Sequence, residues 1–294
     1  MLNVSGNRLS VAGLDALAAG VAACSSLCSL SLNNTQARVI PASMLQLLSR
    51  LDELTVHDNA LLFPPDEVVA TGTACVMEYL SSAQELNLSG SDVQGDDVKW
   101  IVEALPMMPH LAALAISKTK IGCEGLKALA SDAVSQLVSL NISGTDSDGS
   151  VRTLLSSRFF DNFSSLMHLA MTHLPLPFKC IASLSNLTSL NIDYCSTNWP
   201  SSIDGIFGEF ASLRFFSAKG VKLSFCQLDE IARNLAKHQT IRQFIISDIQ
   251  AQHLPASCFE IMFLLLEQRQ QTLHFSLTNV PCQSCNTRAG NALL

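Results

Sequence analysis

Leu111-Ala112-Ala113-Leu114-Ala115-Ile116-Ser117-Lys118-Thr119-Lys120-Ile121, followed after three residues by Gly125-Leu126-Lys127-Ala128-Leu129-Ala130, decides the fold. Leu114 and Ile116 alternate with small or polar residues, the period of a strand with one buried face. Leu126, Leu129, Ala130 and Ala133 then recur at i, i+3, i+4 and i+7, one stripe of a helix. A strand and a helix this short cannot bury their apolar faces alone, so the unit has to be stacked on copies of itself.

The copies are present. Aligned on L-x-x-L-x-L-x-x-N-x-L, the chain reads Leu2-Val4-Asn7-Leu9, Leu27-Leu30-Leu32-Thr35, Leu51-Leu54-Val56-Asn59-Leu61 and Ala83-Leu86-Leu88-Ser91-Val93 before the quoted repeat. After it come Leu137-Leu140-Ile142-Thr145, Leu166-Leu169-Met171, Leu187-Leu190-Ile192-Cys195, Leu213-Phe216-Ala218, Ile241-Phe244-Ile246 and a worn Leu273-Phe275-Thr278, with Leu273 read at the fourth position. These are about eleven leucine-rich repeats. The expected fold is an α/β solenoid, a horseshoe with parallel strands on a concave face and helices on a convex one. Helical stripes at Leu14, Leu17, Ala18, Val21 and at Val98, Ile101, Val102, Leu105 support the convex layer, and Gly13 and Gly125 suit a close approach at the helix starts.

Composition removes other classes. The 294 residues are 48% apolar and 15% charged, against about 25% charged for an average domain, which excludes ordinary disorder. With 18 basic and 25 acidic residues and no basic cluster, the counterion-release term of nucleic-acid binding has no source. The longest weakly polar stretch, Val11 to Leu32, contains Asp15 and four serines and reads as repeat rather than as a membrane span.

Leu2-Asn3-Val4-Ser5-Gly6-Asn7-Arg8-Leu9 with Gly13-Leu14-Asp15-Ala16-Leu17-Ala18, and Ala115 to Ile121 with Gly125 to Ala130, resemble the ribonuclease-inhibitor type of repeat over the whole chain. The strand ends Ile142-Ser143-Gly144-Thr145 and Ile116-Ser117-Lys118-Thr119, the irregular spacing and the closing Leu273 to Leu294 are similar to the CARMIL proteins, linkers of capping protein, Arp complex and myosin I. That resemblance implies a cytoplasmic scaffold for actin regulation. The family's partner contacts lie in a tail outside the repeats, so no site residue carries over.

The ninth position reads Asn7, Thr35, Asn59, Ser91, Thr119, Thr145 and then Leu174, Cys195, Val221, Ile249, so a polar ladder stops after the sixth repeat. Pro175 and Pro177 follow, and the next repeat is too short for a full helix. Irregular repeats are therefore expected near 166–200, within one leucine-rich-repeat domain over 1–294. Solenoids close with polar caps, whereas this chain starts at a fourth position and stops in an expected covering helix, Arg288 to Leu294. The expectation is a segment of a longer protein.

Chemistry is sparse. Cys24, Cys28, Cys75, Cys123, Cys180, Cys195, Cys226 and Cys258 read as small buried residues, and Cys282-x-x-Cys285 lacks the second pair a zinc site needs. No catalytic, cofactor or metal motif is present, and His168, His173 and Cys180 make only a loose group in sequence. Asn-x-Ser/Thr triplets at 3, 33, 87, 141, 162 and 186 arise largely from a recurring Leu-Asn-x-Ser strand text, and since the start lacks a basic n-region and Asp15 interrupts the apolar stretch, no signal peptide is expected.

The expectation is a non-catalytic protein-interaction scaffold, cytoplasmic, with protein partners and no cofactor. GTPase-activating or innate-immune repeat proteins and extracellular recognition domains are the alternatives. The expected concave positions are mostly small and uncharged, and hot spots favour Trp, Tyr and Arg. Candidate contacts are therefore Tyr194, Trp199, Phe215 and Lys219, taken as neighbours by strand stacking, together with Trp100, which falls off its helix's apolar stripe and is expected outside.

Overall fold

The computed structural model describes residues 1–145, 154–155, 158–176, 181, 183–197, 210–222, 227, 230–231, 233–234, 240–247, 274–278 and 292–293; the last two stretches, Leu176, Ser196 and Thr197 are described by backbone alone. The chain forms two compact units, Met1–Ala115 with Thr119–Val134, and Ile116–Lys118 with Ser135–Leu294. Its fold is an α/β leucine-rich-repeat solenoid.

In the first unit β1 (Leu2–Asn3), β2 (Ser29–Ser31) and β3 (Glu53–Thr55) form a parallel sheet in chain order. Leu2 lies opposite Leu30, and Leu30 opposite Leu54. The helices α1 (Val11–Val21), α2 (Ala42–Leu47), α3 (Asp66–Val69) and α4 (Thr73–Ser82) follow these strands. A second pair, β4 (Glu85–Asn87) and β5 (Ala113–Ala115), sets Leu86 against Leu114, with α5 (Gly95–Ala104) and α6 (Gly122–Leu129) behind.

In the second unit β6 (Ser139–Asn141), β7 (His168–Ala170), β9 (Ser189–Asn191), β11 (Phe215–Ser217), β12 (Gln243–Ser247) and β13 (His274–Thr278) run parallel. β8 (Pro175–Leu176) pairs with β10 (Ser196–Thr197).

The fourth and sixth positions form the core. Leu30, Leu86, Leu114, Leu140, Leu169, Leu190, Phe216 and Phe244 are buried, as are Leu32, Leu88, Ile116, Ile142, Met171 and Ile192. Each such side chain contributes about 1.5–3 kcal/mol by leaving water. Phe159, Phe160 and Phe163 pack edge-on and tilted against one another between β6 and β7, with centroids 4.8 to 6.0 Å apart.

Of the expected helical stripes, that of α6 needs correction in detail. α5 buries Val98, Ile101 and Val102, as its spacing predicts. α6 stops at Leu129; Ala130 turns out of the helix and Val134, not Ala133, reaches the core. Gly125 meets Gly95 of α5, where an added Cβ on Gly125 would lie 3.3 Å from the Gly95 Cα and 2.6 Å from the Ile121 Cβ. Gly13, by contrast, sits inside α1 with only Ser10 Oγ within reach, 3.5 Å from an added Cβ, so no close approach requires it.

The polar residues of the sheet's open face have an internal structural use. In a parallel ladder the sixth- and eighth-position amides point to the next strand, leaving the seventh-position N–H without a backbone acceptor. Where the fifth residue is Asn, its own Oδ1 accepts that N–H: Asn3 from Ser5 at 2.9 Å, Asn87 from Ser89 at 3.0 Å, Asn141 from Ser143 at 3.1 Å and Asn191 from Asp193 at 3.0 Å. On four of the other strands the preceding repeat's seventh side chain accepts instead. Asn33 N–H donates to Ser5 Oγ, His57 N–H to Asn33 Oδ1, Thr172 N–H to Ser143 Oγ and Lys219 N–H to Asp193 Oδ1, all at 2.8 to 3.1 Å. The Leu-Asn-x-Ser text is thus an internal hydrogen-bonding device.

Other expectations shift too. The ninth-position ladder outlasts its Asn, Ser and Thr members, because the Cys195 thiol donates to Met171 O at 2.8 Å. Of the cysteines, Cys195 is buried, Cys75 and Cys123 are half-buried, and Cys24 and Cys28 are exposed, since Cys28 precedes its strand at the surface and Cys24 lies in the turn after α1. Cys180, Cys226, Cys258, Cys282 and Cys285 lie outside the described residues. The last repeat is two residues out of register: Phe275, not Leu273, stands opposite the fourth-position Phe244. Ala292–Leu293 is not helical but a strand, β14, pairing antiparallel with β13 and covering its outer edge. No described helix is long and apolar enough to cross a membrane.

One joint in the first unit is open. β3 and β4 belong to different sheets. Behind the opening, Arg38 of the second repeat skips the third and reaches the fourth: its guanidinium donates to Asp97 at 3.0 and 3.2 Å, to the Asp92 carboxylate at 3.3 Å and to the Asp92 carbonyl. Asp97 is buried and also accepts the Gln94 N–H at 3.0 Å, fixing the start of α5. The hydrogen bond that Arg38 donates to Asp97, only partly offset by burial, raises the Arg38 pKa.

Candidate functional site

The eighth position of each described strand turn has a left-handed backbone. Gly6, Gly90, Gly144 and Gly220 take positive φ there without penalty, and Asn34 and Asp58 are the side chains that best tolerate it. Lys118, His173 and Tyr194 occupy the same conformation with φ of 56°, 62° and 57°, at a cost of about 1–2 kcal/mol each. The strain projects two rings side by side. His173 and Tyr194 stack with centroids 5.1 Å apart and planes 21° from parallel.

Gly220 flanks the other face of Tyr194, and an added Cβ there would fall 2.3 Å from the Tyr194 ring. Tyr194 N–H donates to Lys219 O at 2.6 Å, and the His173 Nδ1 lies 3.2 Å from Thr172 Oγ1. Held on both faces, Tyr194 is still 48% exposed. Below it, Asp193 is nearly buried and its Oδ1 accepts from both Ser217 Oγ at 2.6 Å and Lys219 N–H at 2.8 Å.

The structure therefore joins Tyr194 and Lys219 and adds His173, which sequence reasoning had placed in a loose His/Cys group. Its stacking was hidden because only the repeat register shows that 173 and 194 are equivalent positions. Phe215 does not join them. It lies opposite Ser189 at the start of its strand, five positions short of the exit turn and thus on the order of 15 Å away along the strand. Phe215 is half-buried on the sheet's open face, alternating with buried Phe216. Near its end of the strands a cleft of about 400 Å³ is lined by Met167, Thr188, Arg214 and Thr240, with Met167 38% exposed.

Trp199 lies outside the described residues. Trp100 is half-buried rather than exposed, and Lys99 Nζ sits 5.3 Å from its ring centroid, so the lysine stem and head shield the indole. Burial pushes the Cys195 thiol up to about 12, so at neutral pH this group is a hydrogen-bond donor and no nucleophile. Among the described residues no group of three or more His, Cys, Asp or Glu side chains is arranged to hold a metal ion.

No known family model and no curated protein matches the chain. Among solved structures it is similar to human 5T4, the Wnt-activated inhibitory factor 1 or trophoblast glycoprotein, at 19% identity over 85% of this chain and 78% of that one, with a TM-score of 0.49. It is also similar to two Listeria monocytogenes internalins. One, inlF, is 14% identical over 92% and 70% of the two chains with a TM-score of 0.46; the other, internalin C2, is 18% identical over 92% and 84% with a TM-score of 0.39. The repeat assignment itself rests on the strand register and the core rows described above.

Proposed function

We propose that this chain is a non-catalytic, protein-binding scaffold and that the His173–Tyr194 stack with Lys219 is part of a partner-contacting surface. One observation carries the reading: a tyrosine ring, 48% exposed, is held in place between His173 and the Gly220 backbone on a strained turn. A rigid, amphipathic ring loses little entropy on binding, which is why Tyr anchors interfaces. Backbone strain accepted to present such a ring is a signature of sites rather than of packing.

The resemblance to CARMIL-type repeats narrows the partner class to cytoplasmic regulators of actin filament assembly. The test is photo-cross-linking from position 194 in cytoplasmic extract, followed by actin assembly kinetics with the captured protein. Tyr194→Ala is expected to abolish the specific cross-link to that protein placed from a neighbouring site, with thermal stability unchanged. A melting temperature lowered by Tyr194→Ala with capture intact means that the ring is a packing element. Capture without any effect on filament assembly removes the actin reading and leaves the scaffold.

A further inference from the structure

At the open joint between β3 and β4, the edge of β3 has no strand partner among the described residues. In the joint before it, Leu32 N–H donates to Thr55 O at 2.7 Å and Asn34 N–H to His57 O at 2.8 Å; in the next pair, Leu88 N–H donates to Ala115 O at 2.7 Å. The equivalent donors of the third repeat, Val56 N–H and Asp58 N–H, have no acceptor among the described residues. Val56 is itself a buried residue, and it lines the cleft beside the joint.

Beside this edge lies a cleft of about 370 Å³, lined by Glu53, Thr55, His57 and Asp58 from the strand and its turn and by Asp66 and Val69 from α3. Three carboxylates face it, and neither Lys nor Arg is among the lining residues. Burial, opposed by a backbone hydrogen bond from Leu61 and reinforced by neighbouring Glu67, raises the Asp66 carboxyl pKa. A cation placed there relieves that repulsion.

We infer that this edge takes up an extended, Lys- or Arg-bearing segment of a partner protein as an added strand. Carbonyl oxygens of the segment accept the Val56 and Asp58 amides, while alternate side chains point to opposite faces. Basic side chains on one face meet Glu53 and Asp58, and side chains on the other lie toward Asp66 and Val69 of α3. A second copy of this chain is the poorer occupant, because its net charge is -7 and it would bring the same carboxylates to the joint.

The experiment uses the full chain and a labelled synthetic hexapeptide, Val-Lys-Val-Lys-Val-Lys, followed by fluorescence anisotropy and amide hydrogen exchange. The peptide is expected to bind at least about tenfold more tightly than its Glu counterpart. Glu53→Lys combined with Asp58→Asn, both at exposed positions and the second keeping a side chain that tolerates the left-handed turn, is expected to weaken it by about the same factor without lowering the melting temperature. Exchange at Val56 and Asp58 slows when the peptide is bound. Failure of the Lys peptide to bind overturns the proposal. So does equal binding of a backbone N-methylated peptide with exchange unchanged, which means charge attraction alone. Self-association that the peptide does not displace assigns the edge to a second copy instead. Tyr194→Ala leaves peptide binding unchanged, so this result and the partner reading at Tyr194 succeed or fail separately.

Discussion

The joints on either side of β3 are built from the same repeat text and differ in every hydrogen bond. Toward β2, backbone bonds that include Leu32 N–H to Thr55 O and Asn34 N–H to His57 O close the ladder at 2.7 and 2.8 Å, and the Asn33 side chain adds one at 2.8 Å. Toward β4 the ladder is absent, and the connection is made from behind by Arg38. The third repeat is the longest, with 32 residues between Leu51 and Ala83 as first positions. Its extra residues form α3, beside the cleft. A solenoid tolerates such an insertion because each repeat is stabilised by its neighbours separately, so one joint can open while the core continues through side chains.

The comparison is sharpened most by core truncation. Leu140→Ala, at a fourth position on a strand paired to β7, is expected to cost about 2–5 kcal/mol. Leu54→Ala, at the same position beside the open joint, is expected to cost less because the site can relax into the cleft. Chemical denaturation decides it; equal losses mean that the joint is as tightly packed as a closed one.

Arg38→Ala comes next. The Arg38 side chain is 30% exposed and that of Asp97 is 9% exposed, so discounting for solvent the loss is about 2 kcal/mol, mainly from leaving Asp97 buried without its cation. Arg38→Lys is expected to recover only part of it, since an ammonium does not reproduce the fork. A loss no greater than that of a surface lysine truncation in the same denaturation assay means that the tie does not hold the open joint together.

Ser143→Ala is the smallest effect and bears on the closed joints. As an open-face serine it should cost nothing, but its Oγ accepts the Thr172 N–H at 3.0 Å, so about 0.5–1.5 kcal/mol is expected. Ser143→Asn, which keeps an acceptor, should cost less. A shift in the denaturation midpoint indistinguishable from zero for the Ala variant would falsify the seventh-position ladder as a stabilising device.

Repeat periodicity, the fourth- and sixth-position core and the stripe of α5 were all legible in the sequence, because each depends on local spacing that any copy repeats. Gly125 was legible as a close approach, though its partner Gly95 was not. Tyr194 and Lys219 were singled out by residue type alone. What tertiary structure decided was adjacency across repeats: His173 beside Tyr194, Arg38 beside Asp97, and the pairing of Asn33 with His57. The register of the last repeat and the strand at Ala292–Leu293 belong with them, since Phe275 and Leu273 fit the apolar pattern equally well and only the ladder chooses. Repeats of 21 to 32 residues carry no fixed offset from which such contacts can be counted. The open β3 edge is the extreme case, because the text of its strand is regular and its missing partner is a property of the neighbouring repeat's position.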